Sequence, residues 1–140
     1  MLVKTGIKNT VNIYPPMPEN VSVSNIAGTY SVLLTQTGTT APVVNALQSD
    51  ISAVLTWSYV SVGVYKLSIP GGFNVNKTVI SPSIGFLISL QTATTPNSPP
   101  VFAVVKYDGS NDLLIETIDA NFSPANGILT NFPLKVEIYV

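Results

Sequence analysis

One stretch constrains the fold more than any other: "LTWSYVSVGVYKLSI", Leu55 to Ile69. Taken as a hairpin with Ser61-Val62-Gly63 as the loop, it places Gly63 at the left-handed bulge position such loops require. The cross-strand pairs are then Tyr59 with Tyr65, Trp57 with Leu67 and Leu55 with Ile69, all apolar. On the opposite face Ser58 meets Lys66 and Thr56 meets Ser68, both polar. A slip of one residue would mix the two faces, so the register is strongly specified. Trp57 belongs to the core in this reading.

The rest of the chain repeats the theme of short apolar runs broken by Gly, Pro, Asn and Ser. "VFAVVKY" and "LLIETI" flank the turn "DGSND", Asp108 to Asp112, and form a second hairpin from Val101 to Ile118. Further strands are expected at Thr29–Gln36, Asn76–Ser81, Ile84–Thr92 and Leu134–Val140, with Pro133 at a strand start, where a missing N–H is tolerated. "PVVNALQSDIS" carries Val44, Leu47, Ile51 and Leu55 at helix-like spacing. It reads as one or two helical turns after Pro42, capped by Thr40, or as an irregular crossing between sheets. "TATTPNSPP", Thr92 to Pro100, reads as an exposed loop. These elements fit an all-β chain, a single antiparallel β-sandwich, jelly-roll-like, of about seven to nine strands spanning residues 25–140. Residues 1–24, with the Pro-rich "IYPPMPENVS", read as an extended arm. Its Tyr14, Pro15, Pro16, Met17 and Pro18 are candidates for assembly and attachment.

The chain is 140 residues long, enough for one domain with a real core. It is 46% hydrophobic and only 9% charged, against about 25% charged in an ordinary soluble domain. A surface so weakly hydrated suits coverage by other copies or by a larger assembly. Its basic residues are all lysines, Lys4, Lys8, Lys66, Lys77, Lys106 and Lys135, and they are scattered. That argues against nucleic acid, which calls for a basic stripe and usually arginine forks. Cys and His are both absent, so the chain has no thiolate or imidazole to offer for metal binding or nucleophilic chemistry. No cofactor is expected. "MLVKTGIKNTVN" lacks the apolar centre of a signal peptide, and no apolar run reaches the roughly 20 residues that span a bilayer. Synthesis in a cytoplasm and no membrane partner are the expectations.

The acidic residues offer little catalysis. Asp108 and Asp112 belong to a turn, while Glu116 and Asp119 would fall on opposite faces of one strand. "DGSND" has oxygens for calcium but lacks the EF-hand spacing, and its turn reading is the stronger one. A Lys66 or Lys106 crosslink to Glu116 is conceivable, although Lys106 and Glu116 also fit as cross-strand neighbours on an outer face. Glycosylation sequons at Asn20, Asn76 and Asn121 carry little weight in a chain rich in Ser, Thr and Asn.

"YSVLLTQTGTTAPVVNALQSDISAVLTWSYVSVGVYKLSIPGGF", Tyr30 to Phe73, resembles a recurrent segment in structural proteins of tailed phages infecting Bacteroidetes, crAss-like phages among them. The resemblance rests on Tyr30, Leu33, Leu34, Thr35, Gln36, Gly38, Thr39, Ala41, Pro42, Leu47, Trp57, Gly63, Tyr65, Gly71 or Gly72, and Phe73. "GILTNFPLKVEIYV" resembles the closing strand of the same family. Gln48-Ser49, Lys135 and Glu137 depart from its pattern. The resemblance implies a β-sandwich without catalysis on a phage particle, as a head-decoration, head-fibre or tail component. Partners would be further copies of the chain, a trimer among the candidates, and the major capsid protein or another virion protein. The alternative is a carbohydrate- or receptor-binding module using exposed aromatics such as Tyr107, Tyr59 or Phe86. In both readings Leu33–Gln36 ends a strand, and Thr37–Pro42 is a shaped connection into the next layer of the sandwich.

Overall fold

A computed structural model describes residues 26–82, 88–89 and 100–140. The N-terminal arm lies outside this range, as do most of the expected strand at 84–92 and most of the loop that follows it. Among the described residues the chain forms nine strands: β1 (Ile26–Thr35), β2 (Val43–Ser49), β3 (Thr56–Ser61), β4 (Val64–Ser68), β5 (Thr78–Ser81), β6 (Ile88–Ser89), β7 (Phe102–Tyr107), β8 (Leu113–Ile118) and β9 (Phe132–Tyr139). One antiparallel sheet has the order β2-β1-β9-β5, the other β3-β4-β8-β7-β6. The two form a β-sandwich, with first and last strands paired side by side inside one sheet.

Alternation decides which side chains fill the gap between the sheets. In β9, Phe132, Leu134 and Val136 are buried while Pro133 and Lys135 face outward. In β8, Leu113, Ile115 and Thr117 are buried and Leu114 and Glu116 alternate with them. Successive side chains on a strand point to opposite faces, so these patterns are the period of two written as burial. Tyr30, Val32 and Leu34 of β1, Tyr65 and Leu67 of β4, and Ala103 and Val105 of β7 complete a core that both sheets share, joined by Phe73 and Leu129 from loops.

The β3–β4 register has four of the five expected pairs: Thr56 opposite Ser68, Trp57 opposite Leu67, Ser58 opposite Lys66 and Tyr59 opposite Tyr65. Leu55 and Ile69 lie outside the strands. Ser61, expected in the loop, ends β3 opposite Val64, so a bulge between Tyr59 and Ser61 shortens the turn to Val62-Gly63. Gly63 has φ of 68°. A methyl group there would lie 2.5 Å from the Thr117 carbonyl oxygen and 2.7 Å from the Ala125 nitrogen, so conformation and space both require glycine. The second hairpin also forms, as β7 and β8 around Asp108–Asp112. Trp57 is half-buried and packs at the margin of the core.

Three expectations need correction. The segment after Pro42 is neither helix nor irregular crossing: it is β2, paired with β1 along Tyr30–Thr35. A bulge there sets Leu47 as the extra residue, since Val32 faces Ala46 and Ser31 faces Gln48. Hydrogen bonding to β1 outweighs an apolar spacing that has no helix-sized surface to bury against. Second, Thr37–Pro42 returns the chain within the same sheet; the change of layer comes later, between Asp50 and Leu55. Third, Asp119 lies beyond the end of β8, so it is a turn residue and shares no strand with Glu116. The last strand also begins earlier than the expected Leu134, at Phe132.

Candidate functional site

Four of the residues that carry the resemblance, Gln36, Gly38, Gly63 and Tyr65, meet in one hydrogen-bond network. Gln36 follows the last residue of β1 and is 1% exposed. Its amide nitrogen donates to the Gly38 carbonyl at 2.7 Å and to the Thr40 carbonyl at 3.2 Å, folding the loop to β2 around the side chain. Its Oε1 accepts from the Tyr65 hydroxyl at 2.7 Å and from the Gly127 N–H at 2.7 Å. Every donor and acceptor of that amide is therefore used. The Gln36 backbone N–H adds a bond to the Leu129 carbonyl at 2.9 Å. One side chain thus fastens the β1–β2 loop to strand β4 and to the segment before β9.

A second amide extends the network. Asn126 Oδ1 accepts from the Gly63 N–H at 2.8 Å and from the Tyr65 hydroxyl at 3.2 Å, and its Nδ2 donates to the Tyr59 hydroxyl at 3.4 Å. Thr117 is fully buried and donates to the Ala125 carbonyl at 2.6 Å. Its backbone N–H reaches the Gly63 carbonyl at 2.7 Å. The close approach that forbids a side chain at Gly63 is what lets these bonds form. Burial pushes the Tyr65 hydroxyl above the usual tyrosine range, so it is a neutral donor at ordinary pH.

Other motif residues hold neighbouring parts of the frame. The Trp57 indole N–H donates to the Tyr30 hydroxyl at 3.1 Å, tying the two sheets together. Leu34 and Phe73 are core, and the Phe73 N–H reaches the Asn111 carbonyl at 2.8 Å. Gly72, with φ of 75°, leaves room for the Ser110 carbonyl, 3.0 Å from where a Cβ would stand. The Thr35 hydroxyl accepts from the Asn131 N–H at 3.2 Å. Pro42 is buried, Ala41 half-buried, and Gly38 and Thr39 are exposed in the loop. Thr40, expected as a helix cap, instead donates to the Thr37 carbonyl at 2.9 Å. Tyr14, Pro15, Pro16, Met17 and Pro18 lie outside the described residues.

Among the described residues the carboxylates are committed elsewhere. Asp108 Oδ1 accepts from the N–H groups of Ser110 at 2.7 Å and Asp112 at 2.9 Å, closing the "DGSND" turn. Asp119 Oδ1 does the same for Asn121 and Ser123. Lys66 pairs with Asp112 at 3.4 Å, Lys106 with Glu116 at 2.6 Å and Lys135 with Glu137 at 2.6 Å. The Lys106–Glu116 pair is solvent-facing and worth under about 1 kcal/mol. Asp50 accepts from the Thr29 backbone N–H, which holds its carboxyl below the usual range. Among the described residues no three His, Cys, Asp or Glu side chains converge. Tyr59 and Tyr107 are half-buried and form no open aromatic platform, and Phe86 lies outside the described residues.

The cluster is built of neutral amides, phenols and a hydroxyl. It contains no nucleophile with a partnering base and no group that titrates near neutrality, so its chemistry is hydrogen bonding alone. Gly127 opens the C-terminal stretch that carries the second block of the resemblance, whereas Asn126 and Thr117 were not singled out from the sequence. The motif's own spacing gave no sign of them, because they meet Gln36 and Gly63 only across the fold. In comparisons with protein-family models, curated proteins and solved structures, nothing matches this chain.

Proposed function

We propose that this chain is a non-enzymatic virion structural protein, a capsid accessory of the decoration or head-fibre kind that self-associates and attaches to a phage particle. The observation that carries the reading is strand β2. All seven of its residues are exposed, Val43 at 69% and Leu47 at 63%, and none is charged. Edge strands of solitary domains are usually blunted by charge, proline or brevity. β2 has only its bulge, and apolar exposure of this kind suits burial in an assembly. The Gln36 network supports the same reading, since Gln36, Gly63 and Tyr65 brace a frame and supply no reactive group. The expected mechanism is shape complementarity and apolar burial, with Tyr14–Pro18 at the attachment point.

Co-sedimentation tests the attachment. Full-length chain is mixed with particles of the encoding phage that lack it. The reading expects saturable binding that survives removal of nucleic acid. Absence of the chain from purified complete particles, or failure to bind depleted ones, would refute it.

A further inference from the structure

We infer that the open edge of β2 is completed by residues 3–13 of a second copy of this chain. The inference rests on the assembly reading above and names the contact that makes it. Among the described residues β2 pairs only with β1. Its other edge therefore offers a row of backbone N–H and C=O groups over a seven-residue strand. Val44 and Ala46 lie opposite Leu34 and Val32, on the face that leads to the core, yet both are exposed. The inner face of this sheet thus continues as uncovered apolar surface beyond β1.

The sequence ahead of β1 has the pattern to continue it. Val3, Thr5, Ile7, Asn9, Val11 and Ile13 occupy one parity, apolar at four of its six positions, and Lys4, Gly6, Lys8, Thr10 and Asn12 the other, with no large apolar residue. That is the period of a half-buried strand, with an apolar edge to extend the core face and lysines to meet solvent. Added strands of this kind take affinity from main-chain bonds and specificity from alternate side chains.

The spacer decides which copy supplies the strand. Residues 14–25 lead directly into Ile26 and include Pro15, Pro16 and Pro18. At polyproline rise they span roughly 37 Å, about the length of β1. A chain running in line into Ile26 arrives from beyond the Ser49 end of its own β2, so reaching that edge would require a reversal within residues 14–25. Reaching a neighbour requires only that it run straight.

The test uses full-length protein and two variants. Ile7→Pro with Val11→Pro removes strand donors from the arm and leaves every sandwich residue unchanged. Val43→Lys with Leu47→Lys charges the receiving strand at two exposed positions, where the fold is tolerant. Light scattering gives the mass, and amide hydrogen exchange reports β2. The inference expects the unmodified chain to be oligomeric with β2 amides protected, and both variants to be monomeric, folded and unprotected in β2. An unmodified chain that is monomeric, or an arm variant that keeps both mass and β2 protection, overturns it. In the latter case self-association stands and only the arm contact fails. A monomeric chain that also fails to bind particles removes the parent reading as well.

Discussion

Gln36 shows how one residue can hold distant segments in place. Replacing it with leucine roughly keeps the volume, strips the acceptor from the Gly127 N–H and leaves the Tyr65 hydroxyl only the longer bond to Asn126. Orphaned buried donors of this kind cost about 1–3 kcal/mol each. Gln36→Leu should therefore lose roughly 1–3 kcal/mol in a urea titration. Combined with Tyr65→Phe, the loss should fall short of the sum, because the two share a bond. Gly63→Ala makes a different demand, since its methyl meets the Thr117 carbonyl with φ positive. A loss above about 1 kcal/mol is expected, again by urea midpoint. A neutral Gly63→Ala would show that the close approach to Thr117 relaxes freely.

At the scale of elements, the turns are held by their own side chains. Asp108→Ala removes the acceptor for two backbone N–H groups in the β7–β8 turn. By analogy with helix caps it should lower stability by about 0.5–2 kcal/mol, measured by thermal unfolding, while Asp108→Asn should recover most of that. Hairpins were the legible part of this sequence. In β3–β4, pattern, turn residue and register agree, and local chemistry settles them. β2 was hidden because Val44, Leu47 and Ile51 fit a helix as well as a strand; what decides is pairing with β1, a contact between segments. The polar network was half legible for the same reason. Gln36, Gly38, Gly63 and Tyr65 stood out in the sequence, but nothing local told which partners they would meet, and Asn126 and Thr117 give no signal until the sheets pack.

For the molecule as a whole, the buried phenols set its behaviour in alkali. Burial raises Tyr30, Tyr65 and Tyr107 above the usual 10.0. In the unfolded chain they lose their protons near that value, whereas in the folded protein they keep them to higher pH. Their contribution is full below pH 10 and is lost as pH rises through the folded values. Urea midpoints should hold steady through neutrality and fall from about pH 10 upward, with a smaller fall in Tyr65→Phe. No comparable loss is expected between about pH 6 and about pH 8, since no histidine is present to titrate there. The proposed self-association draws on the low charge, the uncovered β2 and the braced frame. The most direct test is the mass of the unmodified full-length protein by light scattering across a dilution series. The account predicts a fixed multiple of 14.8 kDa that persists at low concentration. A mass of 14.8 kDa at every concentration would contradict it.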